Sequence, residues 1–378
     1  MTLPLDGIKV VELGQNFAGP LTGQILGMLG ADVVKVERPE KGDDARGWGP
    51  PFVDESAAAF HAVNQNKRSI TLNLKDSRHL DWLKEYLGQA DVMVQNLRPG
   101  VAGELGLAGE ALRERCPRLV VCALWAYGST GPMKMHPGYE PIVQAFSGLM
   151  FQSGEDGGPP VRMGTQVLDQ GTAMWSSIGI LAGLAQRERT GLGCDVDTSL
   201  FETALGWLTV AFSRYSVTGQ LPPRHPTGSK QLIVFQAFET TNGPLVVAAA
   251  NDRLFAKLAV ALGRPEWAED LRFTTNAARV ENRDVLLADV ATIMATRTRG
   301  EWLDAMSAAG IPCSPVHNMH EVDEHDQTAA IGMIQSSPGL DFRTMGLPIN
   351  IDGSRPALSR AAPKLGEHNA EIIGDALD

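Results

Sequence analysis

Residues 7–37 read GIKVVELGQNFAGPLTGQILGMLGADVVKVE, and the succession of patterns in this stretch decides the fold. Ile8 to Leu13 is a short apolar run rich in β-branched residues. A Gly/Pro loop follows, then a helical stretch from about Leu21 to Leu29 that stops at Gly30, and Asp32 to Val36 is a second apolar strand. Strand, loop, helix and strand in this order form a βαβ unit, whose two strands lie parallel. The alternation continues outward. Ser69 to Leu74 reads as a strand, Ser77 to Gly88 as a helix, and Val92 to Gln95 and Leu119 to Leu124 as strands. This predicts an α/β fold with a mostly parallel sheet covered on both faces.

Farther along, Gly171 to Arg189 has helical periodicity, with Met174, Ile178, Leu181 and Ala185 at spacings of three and four. Thr190 to Gly193 stops this helix, Cys194 to Ser199 is a strand, and Leu200 to Tyr215 reads as a second long helix. Gly219 to Ser229, with three prolines and two glycines, marks a boundary. Beyond it, strands at Ile233 to Phe238 and Pro244 to Ala249 flank a Thr241-Asn242-Gly243 turn. Helices follow at Leu254 to Leu262, Arg283 to Met294 and Arg299 to Ala309. The expected organisation is a Rossmann-like large domain over 1–218, a smaller α+β domain over 225–320, and a Pro-rich tail over 321–378 that returns to the first domain. A length of 378 residues suits two domains.

Composition narrows the function. The chain is 43% hydrophobic and 20% charged, as a soluble globular protein is, and no apolar stretch is long enough to span a membrane. No basic start followed by an apolar run opens the sequence, and the four cysteines form no CxxC pair. Both features fit a cytoplasmic protein with reduced thiols. A net charge of 33 − 44 = −11 disfavours nucleic acid as a partner but leaves room for a small phosphorylated ligand.

Loops after the strands of a parallel sheet collect along one edge, where ligands bind. Arg38, Lys75, Asn96 and Arg98 all fall just after predicted strands, and donors gathered there suit a polyphosphate. Gly14, Gly19 and Gly23 do not make the GxGxxG spacing of a dinucleotide site. Glu37 stands where a ribose-binding acid is expected, with the cation Arg38 next to it, and Asn66-Lys67-Arg68-Ser69 adds a basic cluster. Tyr139 reads equally as core, and Glu140 as a helix-start carboxylate. Asp169 lies where the Gly171 helix begins. It reads either as an N-cap or as a nucleophile kept ionised by the helix N-terminus. His317, His320, Glu321, Asp323 and His325 lack any standard metal-ligand spacing, so no metal is expected.

Taken in order, LDGIKVVEL, Ala18-Gly19-Pro20, LGADVVKVERPEKGD, NKRSITLNLK, ADVMVQNLRPG, YGSTGP, PGYEPIVQAFSGL and the GTQVLDQGTA block resemble the class III CoA-transferases, the family of formyl-CoA transferase and carnitine CoA-transferase. The resemblance implies a catalyst that moves CoA from an acyl-CoA to a carboxylic acid, with both as its substrate partners and no permanently bound cofactor. It implies Asp169 as the nucleophile, with Tyr139 and Glu140 beside it, through an aspartyl anhydride and an aspartyl-CoA thioester. Ala18, Arg38, Leu72, Lys75 and Asn96 would line the CoA site, and two chains would interlock as a homodimer. An α-methylacyl-CoA racemase resembles the same fold. The family's racemases, however, carry a His-Asp pair after a glycine, where this chain has Gly138-Tyr139-Glu140, and a phenol is ordinarily too weak an acid to replace that His, which favours the transferase. The chain departs from formyl-CoA transferase at Phe17 and at Val247 to Asp252, and it has Glu104 where many members of the family carry an Arg. These departures point away from formate and oxalate and toward an acid with some carbon chain.

Overall fold

A computed structural model of the chain describes residues 3–377. The chain gathers into two compact units. The first takes the chain up to Leu149, Arg162–Phe212 and the tail from Asp326, and the second takes Met150–Val161 and Ser213–His325.

The first unit is built on strands β1 (Lys9–Leu13), β2 (Asp32–Glu37), β3 (Lys67–Thr71), β4 (Val92–Gln95), β5 (Val120–Trp125) and β6 (Asp195–Ser199). They lie in the order β3-β2-β1-β4-β5-β6, and every neighbouring pair is parallel. This is the doubly wound order. The winding reverses between β1 and β4, and a crevice opens at the carboxyl ends of those two strands. Val10, Val11, Val33, Val34, Val92, Met93 and Val94 are buried, which explains why the strands read as continuous apolar runs rather than alternating ones. Helix α1 (Ala18–Met28) returns the chain from β1 to β2 and packs on the long helix of residues 167–190. The tail does return to this unit. It covers the outer edge of β3, where Ser69 and Thr71 donate backbone N–H groups to His368 Nδ1 and Asn369 Oδ1.

Three strand residues break the apolar runs. Glu12, Lys35 and Lys67 are fully buried, and Asp43 joins them from the loop after β2. Lys35 Nζ lies 2.9 Å from both Glu12 and Asp43, and Lys67 Nζ lies 2.6 Å from Glu12. The glycines of the first loop make room for this cluster. A Cβ on Gly14 would stand 2.8 Å from Glu12 Oε1, and one on Gly23 would stand 2.6 Å from Glu12 Oε2. Asn66-Lys67-Arg68-Ser69 is therefore no surface phosphate patch. Lys67 and Ser69 are buried, and Arg68 pairs with Asp32 and Glu371.

The long helix shows its expected apolar stripe on the outside. Met174, Ile178 and Leu181 are 50%, 53% and 37% exposed, whereas Gly171, Thr172, Ala173, Ser176 and Gly183 are buried. Close packing is the cause: a Cβ on Gly179 would come within 2.4 Å of Val196, and one on Gly183 within 2.8 Å of Cys194. The helix expected over 200–215 is divided into Leu200–Trp207 and Thr209–Thr218. The break falls just after Gly206, a weak helix former whose carbonyl accepts from Thr209 Oγ1 at 2.7 Å.

The second unit holds an antiparallel sheet of β7 (Phe235–Thr240), β8 (Gly243–Ala248) and β9 (Cys313–Pro315), with β8 in the middle. Phe238, Leu245, Phe255, Trp267, Phe273 and Trp302 form its core, and buried Arg279 donates to the carbonyls of Ile233 and Phe273. Met150–Val161, expected in the large domain, belongs here instead. Arg224 donates to the Gly158 carbonyl and lies over the Phe151 ring, and Lys230 pairs with Asp156. Asn318 and Glu321 form a reciprocal capping box, and Glu321 also pairs with Arg299. Among the described residues no group of His, Cys, Asp or Glu is placed to hold a metal ion, and no helix is long and apolar enough to cross a membrane.

Candidate active site

The carboxyl edge of the sheet carries each residue expected to contact a phosphorylated ligand, but in different roles. Ala18 is the first residue of α1. Phe17 before it makes no side-chain cap and the first turn holds no acid, although Ala18, Gly19 and Pro20 are themselves buried. Arg38 follows β2 and is partly exposed. Its guanidinium donates to the Gly42 carbonyl at 2.9 Å and pairs with Asp44. Lys75 and Arg98, in the loops after β3 and β4, are exposed.

Two of the expected residues have side chains committed within the chain. The Leu72 side chain is buried in the core and its N–H donates to the Glu37 carbonyl, so neither is free for a ligand. The Asn96 amide is committed to the chain itself: Oδ1 accepts from Gln15 N–H and Nδ2 donates to Gln15 O, each at 2.8 Å. Asn96 thus joins the loop after β4 to the loop after β1, where the strand order reverses. Glu37 binds no ribose. Arg46 Nη2 and Ser69 Oγ hold Oε1 at 2.6 Å each, and Oε2 accepts from the Asp43 N–H.

Asp169 lies on the same edge. Its helix, Val167–Thr190, runs back to β6, and Thr172 and Ser176 in the first turns bond Ser199 and Thr198 at the carboxyl end of that strand. Gln166, not Asp169, occupies the N-cap position, so Asp169 is a first-turn residue with its carboxyl free of capping. The chain before it is clamped by Gln144, which is buried: its Oε1 accepts from Met163 N–H at 3.0 Å, and its Nε2 reaches Met163 O at 3.4 Å. Gln144 belongs to the helix Glu140–Phe146, which opens with Glu140. Glu140 is 4% exposed, accepts from Gln144 Nε2 at 2.5 Å, and forms an ion pair with Arg162 at 2.9 Å. Tyr139, just before this helix, is 63% exposed and makes no cap, so its ring is presented to solvent rather than packed in the core.

Asp169 is not simply an ionised carboxylate, as a helix N-terminus alone implies. Burial and the nearby Glu140 carboxylate push it up to about 7, against the opposing pull of Arg162. A carboxyl that titrates near neutrality is a stronger base when ionised and is still available in that form, the compromise expected of a catalytic group. Arg162 and Gln144 carried no signal in the sequence. Their importance follows from contacts to Glu140 and Met163 made across 19 and 22 residues.

A family model described as CoA-transferase family III matches residues 5–369. The chain belongs to this family. Among its relatives, a succinyl-CoA:glutarate CoA-transferase of Mus musculus is 36% identical over 99% of this chain and 86% of its own length. An acetyl-CoA:oxalate CoA-transferase of Acetobacter aceti is 37% identical over 98% of this chain and 95% of its own length. A solved CAIB/BAIF family protein from Brucella suis superposes with a TM-score of 0.90 at 36% identity, over 100% of both chains. The transferase expectation therefore stands, and the chain is an enzyme that uses CoA thioesters.

The placement of Asp169 has a measurable consequence. The ionised fraction grows as pH rises through about 7, so kcat/KM for acyl-CoA should climb between pH 6 and 8 and then level. Arg162→Gln removes the cation that favours ionisation and should move this rising limb to higher pH. An unmoved limb in that variant would contradict the assignment of Arg162.

Proposed function

We propose that the enzyme transfers CoA between carboxylic acids through covalent chemistry at Asp169. The Asp169 carboxylate attacks the thioester carbonyl, the C–S bond breaks, and an aspartyl mixed anhydride and a CoA thiolate result. The thiolate attacks the Asp169 carbonyl, and the donor acid leaves as its carboxylate. The acceptor carboxylate then attacks the aspartyl-CoA thioester, and the released thiolate takes the acceptor acyl group and regenerates Asp169. Every step exchanges one acyl bond for another, so thioester energy is conserved and no metal is required. The observation that carries this reading is Asp169 itself: a first-turn carboxyl at the ligand edge, tuned to about 7 by burial beside Glu140 and Arg162.

In this reading the uncapped start of α1 at Ala18, with Arg38, Lys75 and Arg98, receives the CoA phosphates. Asn96 fixes the loop that presents that helix start, and Leu72 contributes backbone. Tyr139 and Glu140 border the reacting carbonyl. Relatives are named for succinyl and glutarate groups and one for acetyl and oxalate. With the apolar Phe17, the substrates proposed are a donor and acceptor with a carbon chain, succinyl and glutaryl among them. Asp169→Ala should lower transfer by at least roughly a thousandfold while CoA affinity by calorimetry stays within a few fold. Transfer at wild-type rate would remove Asp169 from the mechanism. In a competition among C1 to C6 acids, formate or oxalate emerging as best acceptor would overturn the preference for a carbon chain.

The outward stripe of Met174, Ile178 and Leu181 lies on the first unit, as do exposed Trp175, Leu205, Trp207 and Phe212. A solvent-facing apolar surface of this kind is the signature of an association face. We propose that a second copy of the chain covers it, giving a homodimer. Light scattering on the native protein should return twice the chain mass, and replacing Ile178 and Leu181 together by Glu should return the chain mass. A monomeric native protein would refute the proposal.

A further inference from the structure

We infer that the buried cluster of Glu12, Lys35, Asp43 and Lys67 is a positioning device that sets the affinity for acyl-CoA through the backbone of residues 14–20. The inference rests on the reading that this loop and the start of α1 receive the CoA phosphates. None of the four side chains can touch a ligand: Glu12, Lys35 and Lys67 are 0% exposed and Asp43 1%.

What distinguishes the cluster is where its branches end. The ammonium of Lys35 donates to Glu12 Oε1 at 2.9 Å and to the Gly14 carbonyl at 2.7 Å, and forms an ion pair with Asp43 Oδ2 at 2.9 Å. Asp43 spends its other oxygen on the Asn16 N–H at 2.9 Å and the Ala45 N–H at 3.0 Å. Lys67, paired with the second oxygen of Glu12, donates to the Pro20 carbonyl at 2.6 Å, to Asn64 Oδ1 at 2.7 Å and to the Val63 carbonyl at 3.1 Å. The loop after β1 is therefore held at residues 14, 16 and 20 by buried charge, and at residue 15 by Asn96.

The grip has a direction. The Gly14 and Pro20 carbonyls accept from buried ammonium groups, so the negative ends of these two dipoles are neutralised within the fold. Asn16 is held in the left-handed region at φ 69°, an arrangement its bond to Asp43 supports. Stability alone does not call for this design, because a well-packed apolar set at the same positions commonly stabilises a core as well or better. Directed contacts at Gly14 and Asn16 in the loop and at Pro20 in the first turn of α1 serve instead to preorganise this segment, which lowers the ordering cost of ligand binding.

The test uses the full-length enzyme and CoA itself as probe. Lys35→Met removes the ammonium while keeping the chain length, and Asp43→Asn removes one charge while keeping an acceptor for Asn16. Each variant should bind CoA at least tenfold more weakly by calorimetry and raise KM for acyl-CoA, while kcat at saturation stays within threefold. Thermal unfolding serves as the folding check, and Asp43→Asn decides the matter if Lys35→Met does not fold. Unchanged CoA affinity in a folded variant, or a loss confined to kcat, would overturn the inference. Hydrogen exchange on the native enzyme separates this failure from that of the underlying reading. Absence of CoA-dependent protection over residues 14–21 would show that the loop is not the CoA site at all. Protection there combined with unchanged affinity in the variants would sink the positioning role alone.

Discussion

Parallel pairing of all six strands is the constraint on which the rest of the first unit depends. Parallel strands must each be followed by a return crossover, so every carboxyl end opens into a loop on the same edge. Ala18, Arg38, Lys75, Asn96 and Arg98 come from four different strand ends and still face one region. The helix of Asp169 runs antiparallel to the strands before β6, so its first turn reaches that edge as well. A single topological choice thus delivers the helix start that suits phosphates and the carboxyl that suits acyl transfer to one side of the sheet.

Charge within the fold is arranged at two levels. Under the loop after β1, ammonium and carboxylate groups are buried in contact, and burial is compensated by direct pairing at 2.6–2.9 Å. Around Asp169 the compensation is incomplete. Glu140 is paired with Arg162 and Gln144, whereas Asp169 is left with a like-charged neighbour and partial burial, and its proton is held up to about 7. An unneutralised carboxyl in such a place is costly to the fold and useful to chemistry, a tension that recurs at functional sites.

Much of the architecture was legible from residues 7–37, because strands buried on both faces declare themselves as β-branched runs and the helix between them is bounded by glycines. The edge on which the loops after the strands collect was legible for the same reason. What escaped was whatever depends on contacts distant in sequence. Lys35 and Glu12 read as polar interruptions of strands until Lys67 and Asp43 are placed beside them. Asn96 reads as a ligand donor until Gln15, 81 residues away, claims its amide. The stripe of Met174, Ile178 and Leu181 marked a helix, but which side of it is buried follows from Gly179 and Gly183, whose lack of a side chain lets Val196 of β6 and Cys194 before it approach closely. Met150–Val161 has no pattern of its own that says which unit it joins.

The central claim is that Asp169 becomes covalently attached to CoA. Intact-mass analysis after incubation with succinyl-CoA, followed by hydroxylamine trapping and peptide mapping, tests it directly. The account predicts a CoA adduct that hydroxylamine removes, leaving a hydroxamate on the peptide containing Asp169 and none in Asp169→Ala. Turnover proceeding with no adduct, or with the trapped group on another residue, would contradict it.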